Sequence, residues 1–340
     1  MTVTTVIVGG PRREYRTNQL DDSLVYYSPQ YGRFLESLLN AESRYFFVGA
    51  PDEPDGLLPM LMVDGPFGAV ANSLPFFGSH GAPVAKDNDP GIVEVLLGAA
   101  EQTIEEIALA SMTIVENPFH PISDTQIATL KYLRPVDSRI SQITHWPHGA
   151  PADEEELISH FHSKHRNAIR KGRATGQVVV EASSEEEWEF LLSEHQRGIA
   201  GLGGVAKDAI VFEQLRTHLG SALRLHCGYV SDRLVSALLT IRYRSMVEYF
   251  VPVVAEDMRS EQVLPHLVAQ VMLDSFWHGA TAWNWGGTWL NQDGVFRFKD
   301  RFASTNRPYR YLHWCNDRIT NADRADLLTA HRYWYTRKFG

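Results

Sequence analysis

Between residues 223 and 254 three apolar runs follow one another with almost nothing between them. They cover 223–230, 234–244 and 246–254, separated only by Ser231-Asp232-Arg233 and by Arg244-Ser245. Connections that short join strands lying side by side, so the run predicts a three-stranded antiparallel meander. A helix is expected over 261–278. Its Pro265 is tolerable only in the first turn, where the missing N–H has no partner to lose.

The stretch after that helix, 282–302, carries the densest chemistry. A short strand is expected over 282–285, stopping at Gly286-Gly287, then a polar turn ending at Asp293-Gly294. A compact helix follows with Phe296, Phe298, Lys299, Arg301 and Phe302. Paired glycines let the backbone take φ > 0 and let a ligand approach closely. The helix start beyond them is a natural seat for an anion. Lys299 directly follows Phe298, so the two face different ways and one can pack while the other reaches into a cleft. The plainer alternative is a tight turn and an ordinary surface lysine.

The segment 145–152, His-Trp-Pro-His-Gly-Ala-Pro-Ala, is dense in Pro and Gly and lies near the midpoint. It predicts a domain boundary, giving domains 1–150 and 151–340. The first domain reads β-α-β-β-α-β, an α/β pattern. Strands are expected over 2–8, 45–48, 57–63, 112–115 and 140–144. One helix starts at Ser28-Pro29, with Ser28 as N-cap and Pro29 at N1, and another covers 89–110. The loop 72–83 holds Phe76, Phe77, Gly78 and His80. It is read either as a loop that meets an acceptor or as a buried aromatic plug between domains.

The second domain opens with one helix from Asp153 to Gly176. Its latter part is basic, with Lys164, Arg166, Arg170, Lys171 and Arg173. Arg166, Arg170 and Arg173 share a face. That face suits phosphate groups or an RNA backbone, or else is a solvated face offset by the acids at 185–187. Helices are expected over 185–199 and 209–219, and a terminal one over 321–338.

Composition sets the outer limits. With 340 residues, 44% hydrophobic, the chain can build real cores. A net charge of −9 argues against binding DNA or a membrane surface through the molecule as a whole. Cys227 and Cys315 are the only cysteines, without metal spacing around them, so neither a disulfide framework nor a zinc site is expected. No apolar run reaches membrane-spanning length and the start lacks a signal-peptide pattern, so a cytoplasmic protein is expected.

Two segments in the second half resemble those of FemAB-like transferases of the GNAT superfamily. That group includes the peptidoglycan interpeptide-bridge enzymes and BioF2-like acetyltransferases. Lys164-His-Arg-Asn-Ala-Ile-Arg-Lys-Gly-Arg-Ala-Thr-Gly176 is similar to the family's basic helix. Asn284-Trp-Gly-Gly287 with Phe296-Arg-Phe-Lys299 is similar to its Gly-Gly and Phe-Lys segment. The first half looks like the partner in a tandem, on the acceptor side or as a structural partner. The resemblance implies tandem GNAT-like domains, each a mixed, largely antiparallel sheet flanked by helices.

It also implies acyl transfer to an amine. Lys299, Phe298 and Asp293 would be the catalytic candidates. Lys164, Arg166, Arg170, Lys171, Gly286 and Gly287 would hold the phosphates of a donor or acceptor. No tightly bound cofactor is implied, only an acyl donor as co-substrate, aminoacyl-tRNA or acyl-CoA. The acceptor would be an amine, nucleotide- or lipid-linked in cell-envelope work. The ordinary GNAT glycine loop before the helix at 261–278 is absent: that place reads Met258-Arg-Ser-Glu-Gln-Val-Leu264. An aminoacyl-tRNA donor is therefore the first expectation. An acyl-CoA-dependent N-acyltransferase acting on an amino sugar or other amine is the alternative, and a non-catalytic tandem binding module the third.

Overall fold

The computed structural model describes all residues except 1–2, 7–14, 16–19, 21–23, 77–79, 147–148, 202–204 and 339–340. The first elements are β1 Val3–Val6, α1 Pro29–Leu39, β2 Glu42–Ser43, β3 Tyr45–Ala50, β4 Glu53–Leu58, β5 Leu61–Val63 and β6 Val70–Asn72. Then come β7 Val84–Ala85, α2 Pro90–Glu106, β8 Ser111–Val115, α3 Asp124–Thr129 and β9 Arg134–His145. The chain continues through α4 Glu154–Ser159, α5 Ser163–Ala174, β10 Val178–Glu181, α6 Glu185–Ala200, α7 Ala209–Leu219 and β11 Leu223–Val230. It goes on with β12 Arg233–Tyr243, β13 Met246–Val254, α8 Val263–Trp277, β14 Ala282–Trp289 and α9 Asp293–Asp300. It closes with β15 Thr305–Cys315, α10 Asp317–Asn321 and α11 Arg324–Ala330.

Two compact units form, but not at the expected division. Residues 1–140 with 307–340 make the first and residues 141–306 the second. The Pro/Gly segment is no free linker, because Trp146 is buried. Its amide donates to the Thr281 carbonyl at 2.8 Å, and its ring stacks on Phe276 at 5.7 Å. The C-terminal stretch belongs to the first unit because β15 pairs with β8, from Tyr311↔Val115 to Cys315↔Ser111.

In the first unit one sheet runs β1-β3-β4-β7, and the strands β15-β8-β6-β5-β2 lie in register as a second set. Only the β6–β8 pairing within these is parallel. The α1 start is as expected, with Ser28 Oγ accepting from the Tyr31 amide at 3.2 Å. Asp89 caps α2 through the Gly91 amide at 2.8 Å, and Pro90 sits at the helix start. The core gathers Phe46, Leu58, Leu96, Leu97, Met112 and Leu312. The expected terminal helix over 321–338 is instead α10 and α11. Asp323 caps a new start, and after Ala330 the backbone leaves helical geometry. The carbonyls of Tyr335 and Thr336 then accept from the hydroxyls of Thr113 and Ser111, at 3.0 and 3.1 Å.

In the second unit β10-β11-β12-β13-β14 are neighbours in that order. The meander is antiparallel as expected, with Leu225↔Leu239 and Leu239↔Val251 in register. β14 then joins β13 in parallel over only three residues, Met246↔Ala282 to Glu248↔Asn284. Past that point both strands continue without pairing to each other. α8 is buried nearly all round and carries Leu267, Val268, Val271, Met272 and Phe276 into the core. The helix expected from Asp153 breaks into α4 and α5, with His162 capping α5 through the Lys164 amide at 3.2 Å. α5 crosses α8 closely. A Cβ on Gly172 would lie 2.4 Å from the Gln262 carbonyl oxygen, so only glycine fits.

Candidate functional site

Lys299 is buried at 6% exposure, one residue along α9 from Phe298. Its Nζ donates to Thr288 Oγ1 at 2.8 Å and lies 3.3 and 3.4 Å from the carbonyls of Gly287 and Gly286. Burial without a carboxylate partner disfavours the ammonium and lowers its pKa to about 7. The glycines are not the strand-to-helix turn that was expected. β14 runs on through them to Trp289, and the pair forms a kink inside the strand. Gly286 has φ +68, a left-handed value that suits glycine, and its amide donates to Asn284 Oδ1 at 2.9 Å. The kink leaves both glycine carbonyls within reach of the lysine.

Behind Thr288 stands Gln142 of β9, which the sequence reading did not single out. The Thr288 hydroxyl donates to Gln142 Oε1 at 3.5 Å, and Gln142 Nε2 donates to the Phe296 carbonyl at 3.2 Å. Two residues on, the Thr144 hydroxyl donates to the Phe302 carbonyl and accepts from Trp285 Nε1, both at 2.9 Å. The signal in the sequence was two polar residues two apart in an apolar strand, which share one face. Asn284 opens the Asn-Trp-Gly-Gly segment. It is fully buried, with Oδ1 engaged and Nδ2 unpartnered.

Phe298 packs against aromatic neighbours. Its ring lies 5.2 Å from His165 and 5.3 Å from Phe302, and Trp285 stacks against Phe302 at 4.7 Å. His165 thus belongs to the aromatic floor beneath α9 rather than to a cationic face. Burial lowers its pKa to about 4 and keeps it neutral. Asp293 lies in the exposed first turn of α9 and pairs with Arg297 at 3.7 Å, away from the lysine's hydrogen-bond partners.

The basic helix is less free than its composition implied. Arg170 pairs with Glu155 at 2.7 Å, and Arg173 with Glu154 and Glu155 at 2.9 and 2.7 Å. Arg166 donates to the Phe161 carbonyl at 2.7 Å. Lys171 reaches the Ser260 carbonyl at 2.8 Å and Glu261 at 3.4 Å, and Lys164 is exposed. The balancing acids are therefore those of α4 and not the run at 185–187. In the first unit, Phe76 is a buried plug: φ is +94 and its ring packs on Phe34 and Tyr333 at 5.5 and 5.2 Å. His80 is fully buried, bonded through Nδ1 to the Glu116 carbonyl at 2.8 Å, and burial lowers its pKa to about 4. Phe77 and Gly78 lie outside the described residues.

A cavity of about 580 Å³ in the second unit is lined by Glu194, His195, Arg197, Pro252, Arg259 and Leu264. Pro252 lies on β13 beyond its last pairing with β14. Near it, the turn before α8 is closed on itself. The amides of Glu261 and Gln262 donate to the carbonyls of Met258 and Arg259, at 3.1 and 3.3 Å. Among the described residues no cluster of His, Cys, Asp or Glu is able to hold a metal, and no helix is long and apolar enough to cross a membrane.

Residues 159–300 match the family model of the acetyltransferase (GNAT) domain. No curated protein matches the chain by sequence. Among solved structures, FemX superposes with a TM-score of 0.70 at 13% identity, covering 91% of this chain and 97% of that one. The C-terminal domain of a putative lysylphosphatidylglycerol synthetase from Agrobacterium fabrum gives 0.53 at 13% identity, covering 89% and 93%. A tandem GNAT protein from the clavulanic acid biosynthesis pathway gives 0.51 at 11% identity, covering 93% and 99%. Residues 159–300 thus match an acetyltransferase (GNAT) domain, and the chain shares its fold with FemX and with a tandem GNAT protein.

Proposed function

We propose that this FemAB-like GNAT acyltransferase moves an aminoacyl group from aminoacyl-tRNA to an amino group of a cell-envelope precursor or peptide-like metabolite. The observation that carries the reading is Lys299, a buried lysine that is half-neutral near pH 7. An acceptor amine arrives mostly as ammonium, because amines titrate at about pH 8 to 10. It must lose a proton before it can attack. Lys299 in its neutral form takes that proton. Three acceptors, Thr288 Oγ1 and the carbonyls of Gly286 and Gly287, surround the nitrogen; the neutral amine donates to two of them and must turn its lone pair from the third to take the proton. The freed amine nitrogen adds to the donor carbonyl. The tetrahedral oxyanion collapses and expels the ribose oxygen, which takes the proton from Lys299, and the second proton on the new amide nitrogen leaves to solvent. A base titrating near the working pH suits this role.

The donor assignment draws on the turn before α8. An acyl-CoA enzyme of the usual kind offers free backbone amides to a pyrophosphate there. Here two amides of that turn are already bonded within it, Pro265 has none, and Lys171 covers the Ser260 carbonyl. The 580 Å³ cavity beside β13 is of a size for the aminoacyl end of the donor. The fold shared with a putative lysylphosphatidylglycerol synthetase supports an aminoacyl rather than an acetyl cargo. The first unit is assigned the acceptor side or a structural role.

The acetyltransferase domain match favours a second reading, an acyl-CoA-dependent N-acyltransferase on an amino sugar or other amine. One experiment separates the two. Purified protein is heated with CoA, with acetyl-CoA and with charged tRNA, and transfer from labelled aminoacyl-tRNA is followed with amine acceptors. Binding at a hundredfold over Kd adds about 2.7 kcal/mol. A shift with millimolar CoA and none with charged tRNA would overturn the aminoacyl reading.

A further inference from the structure

In the first unit a cavity of about 480 Å³ is walled by Pro83, Pro90 and Pro121 together with Val93, Phe119 and Ile122. Among the described residues no acidic side chain lines it. The cation in its wall is Arg307 of β15. The guanidinium lies over the Phe119 ring, 5.2 Å from its centre, and Nε is buried without a hydrogen-bond partner. Among the described residues Arg307 has no carboxylate partner. The neighbouring acids are taken: Glu116 and Asp124 pair with Arg310, at 2.7 and 2.6 Å. A partly buried guanidinium with unused donors is costly unless an acceptor meets it.

The walls are held in place before any ligand arrives. The Phe119 amide donates to Asn117 Oδ1 at 2.9 Å. Asn117 Nδ2 donates to the Tyr27 hydroxyl at 3.3 Å, which in turn donates to the Ala82 carbonyl at 2.8 Å. Gln126, another lining residue, is fixed by its Nε2 bond to the Pro90 carbonyl at 3.1 Å. Asn88 at the rim has φ +55, a left-handed value that asparagine tolerates. A rigid apolar pocket with one stacked guanidinium selects a ligand that is apolar at one end and an oxyanion at the other.

We infer that this cavity is a second binding site, for a small molecule that joins a carboxylate or phosphate monoester to an apolar or planar body. The oxyanion meets the Arg307 guanidinium and the body lies against Phe119 and the prolines. Lys299 is not among the residues that line the cavity, and its occupant does not depend on the identity of the acyl donor.

Calorimetric titration of the intact protein with phenyl phosphate, benzoate and neutral benzamide tests this. One of the two anions should bind at one site per chain, and benzamide should not. The tighter anion names the head group. Arg307→Gln should weaken that binding about tenfold or more, whereas Lys299→Ala should leave it unchanged. Arg307→Lys keeps the charge but loses the planar fork, so an intermediate affinity is expected; it carries the comparison if Arg307→Gln does not fold. No heat from either anion at millimolar concentration would overturn the site. So would equal affinity in the Arg307 variants, or binding lost in Lys299→Ala.

Discussion

Thr288 accepts a hydrogen bond from Lys299 Nζ at 2.8 Å and passes its own proton toward Gln142 Oε1 at 3.5 Å. In the ammonium form the direction of that chain follows from the inventory of groups, since an ammonium has only N–H to give and the carboxamide oxygen can only accept. It fixes the lysine nitrogen without supplying a counter-charge. Burial lowers the lysine's pKa to about 7, and no carboxylate contact among the described residues offsets it.

Removing the amine should therefore stop transfer while the fold persists. Lys299→Ala and the near-isosteric Lys299→Met should lower kcat by about 10² to 10⁴, the range for loss of a general base. Lys299→Arg should fare no better, because a guanidinium does not give up its proton. Circular dichroism and a transfer assay read the two halves of the statement. Full activity in Lys299→Met would end the assignment.

The same burial leaves a mark on stability. The folded pKa of Lys299 is depressed to about 7, below the unfolded value near about 10.4. Between those values the unfolded chain holds a proton that the folded chain does not. Stability from this group therefore rises with pH through that window, and below the folded pKa the protein carries the cost of a buried ammonium. Urea unfolding at pH 6, 7.5 and 9 should show Lys299→Met gaining most over the parent at the acid end, in a roughly graded way. A pH-independent difference would contradict the depressed pKa.

Thr288→Val should move the acid limb of the kcat/KM profile. The hydroxyl favours the charged lysine by accepting its proton, so its loss should push the lysine pKa further down. The plateau rate should also fall, because the nitrogen is no longer aimed. Thr288→Ser should restore both. A variant that lowers the plateau without moving the limb would make Thr288 a packing residue.

On the aminoacyl-tRNA reading, Arg170→Ala with Lys171→Ala should flatten the salt dependence of tRNA binding. Each lost phosphate contact takes about 0.7 to 0.9 from the slope of log K against log salt. Both residues already have acidic partners, Glu155 and Glu261. An unchanged slope would leave them as ion pairs of the surface, worth about 0 to 1 kcal/mol each.

Much of the fold was readable where local chemistry left one choice. Ser28-Pro29 and Asp89-Pro90 begin helices as capping predicts, and turns of two or three residues allow only a meander in β11 to β13. That Lys299 and Phe298 face different ways needed only their adjacency on a helix. What was not readable depended on breaks and distant partners. In one continuous helix Glu155 and Arg170 would stand about 22 Å apart at 1.5 Å per residue. The break at residues 160–162 folds α4 back beside α5 and brings them to 2.7 Å. Gln142 and Thr288 meet across a separation in sequence that no periodicity reports, and Gly286-Gly287 reads as a turn until the strand is seen to pass through it.

The return of the segment 307–340 to the first unit sets an order of events during synthesis. The second unit is one uninterrupted stretch, 141–306, so all its strands and helices are available once Asn306 has left the ribosome. The first unit begins earlier but waits longer, because β8 lacks its partner β15 until the chain has gone on to Cys315. Domains usually mature in the order they are made. Here the half that starts first finishes last, and in the interval one edge of β8 stands open in the nascent chain.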